Sequence, residues 1–322
     1  MCLVAFAIDQ SRRFPLVIAS NRDEFFKRPS ARLAWWTPTP GEPAVLSGRD
    51  LESGGTWLGL TAQGRLALLT NVRGGAPHDP QAPSRGSIAL DWLSGREATG
   101  DFWMRTAMSG HNGFNLIAAD FVRSECFWAS NAQASPQRLG SGLYGLSNGA
   151  LDTPWRKVTA LKARVAESMD AATSVDELAA KLFAALADRS VADDAELPQT
   201  GIALALEREL SPAFIRTPDE AYGTRCSTLV ITERSGRYPV THVFERSFNA
   251  SGSVALLRRA SLRSWPPRYD VGVQAASEPT AVADVELDGT PRPGPAARRT
   301  RVRSLLRPTA DSRRTRASHD AR

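Results

Sequence analysis

Cysteine is scarce in this 322-residue chain, with only Cys2, Cys126 and Cys226. Three thiols so far apart give no disulfide framework, and a reducing cytoplasm is the expected compartment. Histidine is equally sparse. His78, His111, His242 and His319 show no ligand spacing, and no Cys-x-x-Cys pair occurs, which argues against a structural metal. No apolar run approaches the roughly 18 residues of a membrane span. The N-terminus lacks the basic and apolar regions of a signal peptide. No Gly-x-Gly-x-x-Gly or phosphate-loop pattern follows a strand, so nucleotide binding has no support. Internal repeats are absent as well.

Charge is present but unevenly placed. From Ala250 onward there are fourteen Arg, no Lys and seven Asp or Glu, so this tail alone carries +7. Against +6 for the whole chain, the body is close to −1, and the high pI says nothing about the body's surface. The expected organisation is one domain over residues 1–250. A basic, Arg/Pro/Ala-rich tail over 251–322 is expected to be disordered, with no specific nucleic-acid role.

The body reads as paired strands with helices set between them. Residues 1–8 and 15–24 read as an apolar hairpin. Residues 28–43 read as a Pro/Trp-rich loop, and 54–61 with 65–72 as a hairpin turning at Gln63-Gly64. Residues 84–93 and 101–108 read as short helices. Residues 114–121 and 126–130 form another antiparallel pair, and 144–148 a short strand. Thr153-Pro154 predicts a helix start, and Ser174-Val175-Asp176-Glu177 a capping box. Residues 193–218 read as an irregular polar flap, before a last hairpin from 225–232 to 238–248. Antiparallel pairs with helices inserted mid-chain predict an α+β sandwich. Trp57 reads as a core aromatic and Cys126 as an inert buried thiol.

The chemistry concentrates at the first hairpin. Cys2 directly follows the initiator Met, and removal of Met1 would leave a free α-amine beside the thiol. The amine titrates near roughly 8 and the thiol near roughly 8.5, so the two can exchange a proton near neutrality. The bland alternative is a small hydrophobe on a buried strand. The return strand ends in Asn21-Arg22-Asp23-Glu24. Arg22 would depress the thiol pKa and Asp23 would hold the protonated amine; a salt-bridged turn is the alternative.

Several further words follow along the chain. They are Gly54-Gly55-Thr56-Trp57-Leu58-Gly59, Leu69-Thr70-Asn71, Asn112-Gly113-Phe114-Asn115-Leu116, Tyr144-Gly145-Leu146-Ser147-Asn148, Leu151-Asp152-Thr153-Pro154-Trp155 and Tyr222-Gly223-Thr224-Arg225-Cys226-Ser227-Thr228. With Cys2 and the Asn-Arg-Asp-Glu tetrad, the chain to about residue 250 resembles the NRDE-motif family, also called the transport and Golgi organisation protein two family. That family is remotely similar to N-terminal-nucleophile hydrolases of the penicillin acylase and bile-salt hydrolase branch.

The resemblance implies an αββα sandwich of antiparallel sheets, with Cys2 at the mouth of a cleft. It implies catalytic roles for Cys2, Arg22, Asp23, Asn71, Asn148 and Arg225, the two asparagines forming an oxyanion hole. Asn21, Glu24, Trp57, Tyr222 and Thr224 are the accompanying motif residues. The spacing of Arg22 and Asp23 departs from the hydrolase branch. The implied activity is hydrolysis of a small-molecule amide (C–N) bond. The alternative, from a different class, is a non-catalytic carrier of haem or a lipid metabolite, with a Golgi-organisation and secretion role in animal relatives. No cofactor is implied; haem would be cargo, with Cys2, His78 or His111 as candidate axial ligands. Oligomeric state is left open.

Overall fold

The computed structural model describes residues 2–74, 78–133, 135–234, 236–267 and 278–285. They belong to a compact unit spanning Met1–Arg292. The chain opens with β1 (Cys2–Ile8) and β2 (Leu16–Phe25), paired antiparallel from Cys2↔Arg22 to Ile8↔Leu16. It then lays down a whole second sheet in sequence order. Its strands are β3 (Ser30–Trp36), β4 (Val45–Asp50), β5 (Leu58–Thr61), β6 (Arg65–Asn71), β7 (Phe114–Asp120), β8 (Glu125–Ser130) and β9 (Gln137–Arg138). Between β6 and β7 lie α1 (Gly86–Ser94) and α2 (Thr99–Ala107).

The chain returns to the first sheet with β10 (Gly142–Leu146), beside β1. Next come α3 (Arg156–Ala171), α4 (Val175–Leu186), a 3₁₀ turn over Asp194–Glu196 and α5 (Leu204–Glu209). Then β11 (Tyr222–Glu233) pairs with β2, and β12 (Val240–Phe248), β13 (Val254–Arg263), β14 (Glu278–Pro279) and β15 (Ala283–Val285) complete the sheet. Its order is β10-β1-β2-β11-β12-β13-β14, with β15 also on β13.

Strand alternation explains why the first apolar run has no polar face. Val4, Phe6 and Ile8 of β1 pack between the sheets, while Leu3, Ala5 and Ala7 pack against α3 and α4. A third apolar layer, including Ile88, Trp92 and Phe102, joins α1 and α2 to the outer face of the second sheet. The result is the expected αββα sandwich. A strand buried on both faces reads as a continuous hydrophobic run, so β1 and β2 form the centre of the molecule.

Several boundaries differ from the sequence reading for local reasons. The 28–43 loop contains β3, whose Ala34, Trp35 and Trp36 pair with Ser47, Leu46 and Val45 after a bulge. Helix α3 starts at Arg156, with Trp155 at the cap position and no side-chain cap. Thr153 is used one turn earlier, donating to the Ala150 carbonyl at 2.8 Å. The Ser174 cap forms, its hydroxyl accepting from Glu177 N, but Glu177 reaches back to Thr173 N.

The expected tail begins too early. Val254–Arg263 is a sheet strand, with Ala260 and Leu262 in the inter-sheet core, and Trp265 is fully buried with its indole donating to Thr61 O at 2.9 Å. The arginines that mimic a disordered composition are paired instead: Arg258 with Asp284 and Arg259 with Asp176. The expectation for residues 268–277 and 286–322 lies outside the described residues.

His242 on β12 packs against Phe244 and shares Nδ1 contacts with Ser261 and Arg259. Burial, reinforced by Arg259, lowers its pKa from 6.5 to about 4. The folded protein then holds fewer protons than the unfolded chain between those values, so His242 lowers stability as pH falls from 6.5 toward 4. The loss is at most about 3 kcal/mol. A His242→Gln variant should lose less stability than wild type between pH 7 and 4.5 in urea titrations; parallel losses would contradict this.

Candidate functional site

The sheet ends carrying Cys2, Arg22 and Asn71 open into a cleft of about 1120 Å³. Cys2 stands opposite Arg22 on β2, and Arg22 stands opposite Cys226 on β11, next to a register shift between Thr224 and Cys226. Partners in an antiparallel ladder share a face, so Cys2 and Arg22 project toward the second sheet. Asn21 and Asp23 project the other way, toward the helices. This alternation divides the tetrad's roles.

Arg22 lies over the Trp57 ring, 4.2 Å from guanidinium carbon to centroid. It donates to Ser30 Oγ at 3.2 Å and lies 3.5 Å from Asp50 and 3.7 Å from Glu24. Trp57 is thus more than a core aromatic: it lines the cleft and supports a cation. Glu24, also in the cleft, accepts from Phe25 N. Asn21 is sealed away from the cleft. Its amide donates to the carbonyls of Leu186 and Ala213, both at 2.8 Å, and its oxygen accepts from Ser227.

Asp23 is buried, its Oδ1 accepting from Thr224 Oγ1 at 2.7 Å and its carbonyl from the Tyr222 hydroxyl at 3.1 Å. Behind it stands Lys157 of α3, whose Nζ donates to Leu210 O at 2.8 Å. Burial lowers the Lys157 pKa to about 8 although Asp23 opposes the shift. Burial also raises the Asp23 carboxyl, against Lys157 and Thr224. Next to this pair, Arg73 and Glu207 form a buried ion pair at 2.7 Å. Burial likewise pushes the Cys2 thiol above its ordinary value; Arg22 lowers it, as expected from the sequence, but by less.

The two asparagines expected to form an oxyanion hole sit differently. Asn71 lines the cleft. Asn148 donates its side-chain amide to Asn71 O at 2.8 Å and accepts from Arg73 N through its own carbonyl. The neighbouring Ser147 donates to Cys2 O at 3.0 Å and accepts from Thr70 through its carbonyl. The words Leu-Thr-Asn and Leu-Ser-Asn therefore tie the two sheets together at the thiol. Arg225 stands outside the cleft lining, and it does not bridge to Asp23. Its guanidinium donates to Phe25 O and Arg28 O and covers the Phe26 ring, clamping the turn after the tetrad.

Sequence reasoning missed Lys157, Arg73, Glu207 and Arg85. Lys157 carried a readable signal, a cation on the stripe shared with Val158, Leu161 and Val165. The others sit in loops or a short helix with no pattern to mark them. Among the described residues no cluster of His, Cys, Asp and Glu could hold a metal ion, and no helix is long and apolar enough to cross a membrane.

The Gly-Gly-Thr-Trp word has a packing origin. Gly54 adopts φ +76°, and a Cβ on Gly55 would lie 2.5–2.8 Å from the Gly86 backbone. Gly55→Ala should destabilise the protein by about 1–3 kcal/mol. Gly100→Ala, in open space on α2, should be neutral or slightly stabilising. Denaturant titration of both checks this; equal midpoints would contradict it.

Residues 1–250 match the family model described as Transport and Golgi organisation 2. The chain is 34% identical over 293 residues to the Transport and Golgi organization protein 2 homolog of Bos taurus, covering 84% of this chain and 96% of that protein. Its likeness to the Homo sapiens homolog is 33% over 262 residues, covering 75% and 92%. To the Drosophila melanogaster protein it is 25% over 263 residues, covering 74% and 89%. Among solved structures, it is similar to the C2A mutant of conjugated bile acid hydrolase from Clostridium perfringens, at 10% identity and TM-score 0.40, covering 77% of this chain and 89% of that one. It is also similar to the Caenorhabditis elegans N-acylethanolamine-hydrolyzing acid amidase ortholog, at 9% identity and TM-score 0.42, covering 71% and 92%. With residues 1–250 matched by one family model and a relative 34% identical over 84% of the chain, the chain belongs to the Transport and Golgi organisation 2 family.

Proposed function

We propose that this chain is a cysteine-dependent amide (C–N) hydrolase acting on a small molecule. The observation that carries the reading is that Cys2 lines a large cleft between Arg22 and the Asn71 loop, with Asp23 and Lys157 behind it. After removal of Met1, the Cys2 α-amine takes the thiol proton. The thiolate attacks the substrate carbonyl carbon, and Asn71 donates to the developing oxyanion. Asn148 fixes the Asn71 backbone and is a positioning residue. Collapse breaks the C–N bond, the leaving amine takes the proton, and water cleaves the thioester to return the thiol. Asp23 holds the α-ammonium form, while Arg22 supplies positive field at the sulfur.

Intact-mass analysis should show loss of Met1. Cys2→Ala should abolish turnover of a panel of acyl amides, and Cys2→Ser should retain a small residual rate. Retained Met1, or full activity in Cys2→Ala, would overturn the reading.

A second reading, carriage of haem or a lipid metabolite without turnover, is favoured by one observation: Cys2 and His78 line the same cleft. Haem titration of wild type should then give a Soret shift at micromolar haem that Cys2→Ala or His78→Ala weakens. An unshifted spectrum would exclude carriage of haem.

A further inference from the structure

Among the described residues three arginines line the cleft, and they are not equivalent. Arg22 is shared between Asp50 and Glu24, and Arg28 is held by Asp50 and Glu52 at 2.7 Å each. Arg85, at the start of α1, is half-buried in the same wall. It donates through Nη1 to Gly113 O at 3.2 Å, and among the described residues it has no carboxylate within ion-pair distance. Guanidinium carries five N–H donors in a planar fork. A partly desolvated fork with one weak carbonyl partner is complementary to a planar oxyanion.

Position strengthens the case. Arg85 is fixed by its neighbour Gly86, whose backbone abuts Gly55. Arg85 lines the same cleft as Cys2, Arg22 and Glu24. Apart from the carboxylate-paired Arg22 and Arg28, the other charged residues of the described lining are acidic, among them Asp79, Glu209 and Asp219. Asp219 is occupied by Thr217 and Ala221, and Asp79 by Gln81. An anionic ligand would be repelled along most of the wall and attracted at one place. That asymmetry orients a molecule as well as binding it.

We infer that Arg85 is a specificity-determining residue that holds an oxyanion group, carboxylate or phosphate, of an amide substrate near the Cys2 thiol. The substrate part of this inference rests on the hydrolase reading, whereas anion binding at Arg85 does not. The residue is not required for bond cleavage; its role is to select and orient.

The test uses the full chain in a Cys2→Ala background, so that probes stay intact, with titration calorimetry. The probes are N-hexanoylglycine, N-hexanoyl-O-phosphoethanolamine and the neutral N-hexanoylglycinamide. At least one anionic probe should bind about tenfold or more tighter than the neutral one, and added salt should narrow the gap. Arg85→Gln retains a donor for Gly113 O without the charge, and should reduce the preference to within about twofold. Arg85→Lys should keep part of it.

Equal affinities, a preference that survives Arg85→Gln, or no binding of either anionic probe at about 10 mM would overturn the inference. Comparison of the two anionic probes identifies which oxyanion is taken. Turnover separates this result from the hydrolase reading. If Cys2-dependent cleavage is as fast for the neutral probe as for the anionic ones, the Arg85 role falls and the hydrolase stands. Arg85-dependent anion binding without turnover in the processed wild type would do the reverse.

Discussion

The ladder that sets Cys2 opposite Arg22, and Arg22 opposite Cys226, is the constraint on which the rest of the site depends. A one-residue slip between β1 and β2 would turn Arg22 toward the helices and Asn21 into the cleft. The slip is prevented from both faces. Phe6 and Ile8 require the inter-sheet core, while Asn21 fits only where it meets the carbonyls of Leu186 and Ala213. One buried amide thus fixes the register that presents a thiol and a guanidinium to the same cleft.

Around that register, the molecule places buried charge close to the thiol. Asp23, Lys157, Arg73 and Glu207 lie in the layer between the first sheet and the helices, where ions are stable only as a balanced set. Removing one partner leaves an uncompensated charge, so these residues hold one another and the 193–218 segment in place. Glu207 shows the link: it belongs to α5, accepts from Thr200 and pairs with Arg73. The segment read from sequence as a polar flap is therefore anchored by a buried ion pair, and supplies Leu206, Glu209 and Leu210 to the cleft wall.

Much of the fold was legible because strands buried on both faces leave long apolar runs. The hairpin at Cys2, the pair at Phe114 and Cys126, and the α4 cap all follow from period and capping chemistry. Strand β3 was hidden by its Trp/Pro composition, and β13 by arginines whose acidic partners, Asp176 and Asp284, are distant in sequence. Within the site, Cys2, Arg22, Asp23 and Asn71 were readable as polar residues at strand ends. The true position of Arg225 was not, because its binding to the Phe25 and Arg28 carbonyls depends on how a turn folds back. Arg85 and the Arg73–Glu207 pair were invisible for the same reason: their surroundings are assembled from segments far apart in the chain.

All three cysteines are buried, but only Cys2 lines the cleft, while Cys126 and Cys226 pack in the inter-sheet core. Native-state alkylation with iodoacetamide, resolved by peptide mass spectrometry, tests that arrangement most directly. The account predicts that Cys2 is modified first and that Cys126 and Cys226 react only after denaturation. Labelling of either core cysteine at the rate of Cys2, or a Cys2 that stays unmodified until the protein unfolds, would contradict it.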